Sequence, residues 1–271
     1  MSDAPFNEAL ERRFGGLERL YGKPGAARIR AAHVAVVGIG GVGSWAVEAL
    51  ARSGVGQLTL IDLDHVAESN INRQIHALDD TLGQAKVHAM RERIQHIHPG
   101  CQVHCVEEFV EPGNWPAMLP GGVDALIDAC DQVPAKTAMA AWARVQRSLF
   151  ITVGAAGGKR LAHKVDVDDV AQVTHDPLLA QLRYRLRKHH GAPRDGKKNR
   201  GAMRLQPRGR GTTGCLLRCA RRRQPQLPRL RLRGGRHSHL RPVRSRLGVG
   251  CAGTRNPKMN STCFGVGFFT L

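Results

Sequence analysis

His33-Val34-Ala35-Val36-Val37, followed by Gly38-Ile39-Gly40-Gly41-Val42-Gly43-Ser44, is the stretch on which the fold turns. The first five residues, rich in β-branched side chains, read as a short buried strand, and the run Val42–Arg52 that follows reads as a helix. Between them the glycines fit G-x-G-x-x-G. Glycine permits positive φ and lets backbone N–H groups approach a phosphate, while the start of the helix adds partial positive charge. The spacing therefore predicts nucleotide binding at Gly38, Gly40, Gly41, Gly43 and Ser44. Asp62 closes a second apolar run, Gln57–Asp62, nineteen residues past Gly43, where a carboxylate accepts hydrogen bonds from ribose hydroxyls. To this point NAD and ATP fit equally well.

Outward from this unit the alternation continues. A helix is predicted over about Gln84–Ile97, closed by Pro99 and Gly100. Strands are expected at Gln102–Val106, Ala125–Ala129 and Leu149–Val153, with a helix over Ala135–Gln146. Strands separated by helices give an α/β fold: a doubly wound, Rossmann-like, mostly parallel sheet with its ligand at the carboxyl ends of the strands.

The segment after Asp62 separates the two nucleotides. Asp62, Asp64, Asn70, Asn72, Arg73 and Gln74 fall within thirteen residues, and Lys86 follows. A pyrophosphate held by helix N–H groups needs little further neutralisation, whereas a triphosphate with a departing pyrophosphate calls for cations such as Arg73 and Lys86. Asp128 and Asp131, at the end of the Ala125–Ala129 strand, form an acidic pair suited to Mg²⁺, which favours one or two carboxylates plus phosphate oxygens. ATP with Mg²⁺ is the expected pair of ligands.

Charge divides the chain. Residues 1–196 hold 22 Lys and Arg against 22 Asp and Glu, and residues 197–271 hold the other 19 cations with no acid, so the formal +19 belongs to the last part. Seven cysteines with no Cys-x-x-Cys pair support neither a disulfide framework nor a zinc ribbon. The start, MSDAPFNEALERRF, lacks the basic and apolar regions of a secretory signal, and no window is apolar enough to span a membrane. A cytoplasmic protein is expected.

Ile39–Gly56 (IGGVGSWAVEALARSGVG), Leu60–Leu78 (LIDLDHVAESNINRQIHAL), Lys86 and Leu126–Lys136 (LIDACDQVPAK) together resemble the adenylating domain of the ubiquitin-activating-enzyme-like family. That resemblance implies that Asp62 binds ribose, that Asn70, Arg73 and Lys86 engage phosphates, and that Asp131 holds Mg²⁺. Arg13-Phe14-Gly15-Gly16, Arg19-Leu20-Tyr21-Gly22, Asn72–Leu78 and Gly154–Gly158 are similar to one branch, the dehydratases of threonylcarbamoyladenosine in tRNA. The resemblance covers about residues 10–198. It implies that ATP adenylates the carboxylate of the modified tRNA base, which then cyclises with loss of AMP. It also implies a homodimer in which an N-terminal arginine, Arg13 or in its place Arg19, reaches the partner's ATP. Sulfur-transfer proteins are possible further partners.

The alternatives differ in testable features. A sulfur-carrier adenylyltransferase would use the same ATP site, though such relatives commonly carry two Cys-x-x-Cys pairs. An NAD-dependent oxidoreductase leaves Arg73, Lys86 and Asp131 without a role. A basic nucleic-acid-binding protein would rest on the tail alone, which offers few aromatic residues for stacking.

The division expected from these readings is an N-terminal helical segment over 1–30, an ATP-binding adenylating domain over 31–198, and an irregular or disordered basic tail over 199–271 that is not a native domain. The codons for Asn199–Arg210 (NRGAMRLQPRGR), read one base later, permit a peptide containing Cys-Val-Phe-Ser, which resembles what the dehydratase branch carries after a Gly-Lys-Lys stretch like Gly196-Lys197-Lys198. A change of reading frame near Lys198 accounts for an Arg-rich, acid-free sequence.

Overall fold

The computed structural model describes residues 4–160 and 165–194. The expectations for the basic tail and its changed frame lie outside the described residues. Two helices open the chain, α1 (Ala4–Phe14) and α2 (Gly16–Ala31), the second kinked at Gly22. Five strands follow: β1 (His33–Val37), β2 (Gln57–Ile61), β3 (Gln102–Val106), β4 (Ala125–Asp128) and β5 (Leu149–Thr152). Helix α3 (Gly43–Arg52) joins β1 to β2, α4 (Lys86–Ile97) precedes β3, and α5 (Val133–Gln146) joins β4 to β5. The last described helix is α6 (Pro177–His189).

All four pairings are parallel, in the order β3-β2-β1-β4-β5. Successive strands are laid down outward from β1 to β3, and the chain then returns to the other side of β1 to add β4 and β5. The direction of winding therefore reverses between β1 and β4, and their carboxyl ends frame the crevice in which such sheets bind ligands.

Both faces of the sheet are covered, which is why its strands read as continuous apolar runs rather than as alternating ones. Val34 and Val36 of β1 pack with Leu58 and Leu60 of β2 against Val47, Val87, Met90 and Ile94 of α3 and α4. Ala35 and Val37 point the other way and join Leu126, Phe150, Met139, Leu182 and Leu186, a layer closed by α5 and α6. Burying each such aliphatic side chain contributes about 1.5–3 kcal/mol. Between α3 and α4 the buried Glu48 carboxylate accepts from Arg52 and from Arg93 Nε, the latter at 2.6 Å, which ties the two helices beyond their apolar contact.

Helix α6 was not foreseen. Its start carries ordinary signals: the Asp176 carboxylate accepts from the Leu179 N–H at 3.0 Å, and Pro177 occupies the first turn. Burial alone would raise the Asp176 pKa, but hydrogen bonds from Lys159 and the Leu179 N–H outweigh it and hold the carboxyl below its usual range. Leu179, Leu182 and Leu186, spaced for one helical face, are the buried residues.

Candidate nucleotide site

The end of β1 turns sharply at Gly38, whose φ is +85°. A side chain there would strike the backbone of Ala129 and Cys130, at the end of β4. Gly43 is equally constrained, because a Cβ on it would meet the carbonyl of Gly38. These two positions explain the glycines physically: β1, the turn and the start of α3 are packed backbone against backbone. Among the described residues no side chain caps the N-terminus of α3; the Ser44 N–H is taken by the Gly40 carbonyl at 3.0 Å, and the partial positive charge of the helix start lies at the turn.

Asp62 lies beside this turn. Its Oδ2 accepts from the Ile39 N–H at 2.6 Å and its Oδ1 from the Asp64 N–H at 2.9 Å. Burial raises its pKa, against the pull of those two N–H groups and of Lys86. Each oxygen keeps a further lone pair for a ligand hydroxyl.

Arg73 packs on Gly41 of the same turn. Its side-chain carbons lie where a Cβ on Gly41 would sit 3.3 Å away, and its Nη1 donates to the Ser69 carbonyl at 2.7 Å and to Asn72 Oδ1 at 3.0 Å. Trp45, on α3, donates its indole N–H to the Arg73 carbonyl at 3.0 Å, and Ser44 Oγ accepts from the Ile75 N–H at 3.4 Å, so the 69–75 segment is fastened to the first turns of α3. Asn70 is buried and shapes this segment, its side-chain oxygen accepting from the Ala67 N–H. Gln74 is also buried, with its Oε1 lacking a partner.

Lys86 begins α4 and is buried, its ammonium 2.7 Å from the half-exposed carboxylate of Asp64. Asp131 stands exposed three residues past Asp128, immediately after the Cys130 N–H that faces Gly38. Its exposed carboxylate suits a cation shared with phosphate oxygens, while no group of three His, Cys, Asp or Glu residues among those described forms a metal cage.

Asp128 requires a correction. It is not a partner of Asp131 for Mg²⁺: it is fully buried, and both its oxygens lie 3.0 Å from Lys136 Nζ, with Thr152 Oγ1 donating at 2.6 Å. Lys136, also fully buried, donates further to Thr152 Oγ1 and the Val153 carbonyl. This network locks β4, α5 and β5 together beneath the site. Burial and the adjacent Asp128 carboxylate push the Cys130 thiol pKa well up, which is the opposite of what a nucleophile requires.

Arg13 lies elsewhere. Its Nη1 donates to the Ile97 carbonyl at 2.7 Å and to that of His96 at 3.4 Å, capping the C-terminal end of α4, whereas Lys86 opens that helix. It lines a cavity of about 590 Å³ with Arg93, Glu92 and His76. Neither ring nitrogen of the buried His76 has a partner among the described residues, and burial with the nearby Lys86 and Arg93 lowers its pKa to about 4.

A parallel sheet of this order, with a glycine turn at its switch point, an acidic residue ending β2 and cations around the turn, defines a nucleotide-binding α/β protein. Residues 13–172 match the ThiF family, and the chain belongs to that family. It is 44% identical over 188 residues to the tRNA threonylcarbamoyladenosine dehydratase of Haemophilus influenzae, spanning 69% of this chain and 72% of that protein. With the enzyme of the same description from Escherichia coli the identity is 46% over 191 residues, covering 70% and 71%. The crystal structure of the Escherichia coli dehydratase in complex with ATP superposes with a TM-score of 0.69, over 72% of this chain and 80% of that one.

Among the described residues no helix is long and apolar enough to cross a membrane.

Proposed function

We propose that this chain is an ATP-dependent dehydratase of threonylcarbamoyladenosine in tRNA. The observation that carries the reading is Arg73 packed against Gly41 of the glycine turn, because a triphosphate with a departing pyrophosphate calls for a cation at that lip, whereas a dinucleotide pyrophosphate is held largely by helix N–H groups. The similarity to dehydratases over most of their length supports the substrate.

In the first step the carboxylate of the threonylcarbamoyl group attacks the α-phosphorus of ATP, forming an acyl–oxygen–phosphorus bond as the bond to pyrophosphate breaks. In the second, the carbamoyl oxygen attacks the activated acyl carbon, the acyl carbon–oxygen bond to AMP breaks so that AMP carries off one carboxylate oxygen, and a carbamoyl N–H releases its proton to solvent. The ring closes, and the base has lost the atoms of one water.

The residues divide this work by charge and shape. N–H groups of the turn and of α3 hold phosphate oxygens, and Asp62 both fixes the turn through Ile39 and offers its free lone pairs to the ribose. Arg73 and Lys86 stabilise charge spreading over the phosphates as pyrophosphate departs, exchanging the Ser69 carbonyl and the Asp64 carboxylate for the ligand. Asn70, Asn72 and Gln74 shape and line that side of the nucleotide. Asp131 would hold Mg²⁺, which supplies Lewis-acid polarisation of the phosphates.

The protein acts as a cytoplasmic homodimer in which Arg13 reaches the partner's nucleotide. Its own nucleotide site is a poor target for Arg13, since α4 alone separates the His96 and Ile97 carbonyls from Lys86 by about 16 Å of helical rise. The test is release of AMP from ATP, which should require threonylcarbamoyl-modified tRNA. Release with a ubiquitin-like sulfur-carrier protein instead would make the chain an adenylyltransferase for that carrier.

A further inference from the structure

On the side of the sheet closed by α5 and α6 lies a second cleft, of about 420 Å³. Trp115 and Trp142 form its aromatic wall, with ring centroids 5.4 Å apart and planes at 84°. Arg185, His189 and His190 stand at its edge, and among the described residues no carboxylate lines it. The indole N–H of Trp115, a residue only 8% exposed, is buried and has no acceptor among the described residues.

The helix beside the cleft has one sign of charge. Between Asp176 and Asp195 the chain holds Arg183, Arg185, Arg187, Lys188 and Arg194 and no acid. Arg183 spends its Nη1 on the Val170 and Val173 carbonyls, and Arg187 donates to the Pro193 carbonyl. Arg185, Lys188, His189 and His190 are exposed, and Lys188 lies over the ring of the exposed Tyr184. Exposed cations on one helix, with no ion pair among the described residues and flanking an aromatic slot, are what a single-stranded nucleic acid needs: charge for phosphodiesters and faces for a base.

We propose that the outer face of α6 and the Trp115–Trp142 cleft bind an RNA strand, with phosphodiesters on Arg185 and Lys188 and one base entering the cleft. The inference rests on the tRNA reading above and assigns it a docking surface. Pro134, which also lines the cleft, is only three residues from Asp131, so the surface runs along α5 away from the nucleotide site.

The experiment uses the full chain and a short single-stranded RNA, read by tryptophan fluorescence as well as by retention of tRNA. Retention alone is ambiguous because residues 197–271 carry 19 cations. The RNA should quench tryptophan emission in the parent chain. Arg185→Glu with Lys188→Glu should weaken that quench at least tenfold while ATP affinity and melting temperature stay unchanged, and Trp142→Phe should remove much of the fractional quench of the remaining tryptophan emission. The double variant should also raise KM for tRNA without lowering kcat. An unaltered quench and KM in the double variant would overturn the proposal, as would an equal quench by polyglutamate, which would mark the face as a protein-docking surface. Turnover of modified tRNA that is insensitive to the double variant defeats this surface and leaves the dehydratase reading standing. An RNA quench dependent on α6 without turnover does the reverse.

Discussion

The carboxylate of Asp62 holds the backbone N–H of Ile39 at 2.6 Å, so the end of β2 sets the shape of the turn that follows β1. A charge-assisted bond of this kind contributes about 1.5–3 kcal/mol, equivalent to a change of roughly ten- to a hundredfold in binding when it preorganises a site. Asp62→Ala should therefore weaken ATP binding by at least about tenfold, by calorimetric titration, and Asp62→Asn, which keeps an acceptor for Ile39, should lose less. Equal losses in both variants would show that the turn does not depend on that bond.

Arg73 is partly buried with its guanidinium on the Ser69 carbonyl, and Lys86 is buried beside Asp64. Arg73→Ala should cut AMP formation by about 10²-fold or more with little change in melting temperature, as expected for a cation acting mainly on the transition state. Lys86→Ala should lose comparable activity and also some stability, since its ammonium is buried. Parallel loss of activity and melting temperature in Arg73→Ala would assign that residue to the fold.

Lys136 and Asp128 test the structural network separately from the chemistry. Lys136→Met leaves a fully buried carboxylate unpaired and should cost about 3–5 kcal/mol in denaturant unfolding. Asp128→Asn added to Lys136→Met should recover part of that loss, and strict additivity of the two changes would contradict the pairing.

His76 supplies a pH dependence. Its native pKa of about 4 lies below the ordinary 6.5, so between these values the unfolded chain binds the proton and the native chain does not. Stability contributed by neutral His76 is thus complete above about pH 6.5 and lost as the pH falls toward 4, on the order of 3 kcal/mol in all. His76→Leu should flatten the unfolding free energy across that window. An unchanged slope would mean that His76 is protonated in the native state.

Much of this architecture was legible in the chain because both faces of the sheet are buried, which leaves unbroken apolar runs. The strands His33–Val37 and Gln102–Val106 were read with the bounds they have, and the other strand and helix ends moved by a residue or two. Helix α6 is less legible because Arg183, Arg185, Arg187 and Lys188 dilute the apolar spacing of Leu179, Leu182 and Leu186, although Asp176-Pro177 is a helix start. Asp128 was misread because two acids near a strand end look alike in sequence. The signal that separates them is Lys136, placed on the apolar face of α5 beside Ala135, Met139 and Ala140, where an ammonium must have a buried partner. The lone nitrogens of His76 and the unpaired N–H of Trp115 have no sequence signature, since they arise only from how distant segments close over them.

The central claim is tested most directly by the mass of the modified nucleoside. tRNA carrying threonylcarbamoyladenosine, incubated with this protein, ATP and Mg²⁺ and then digested, should yield a nucleoside lighter by one water, with one AMP released per nucleoside converted. An unchanged nucleoside mass, with AMP released only when a ubiquitin-like carrier protein is present, would contradict the account.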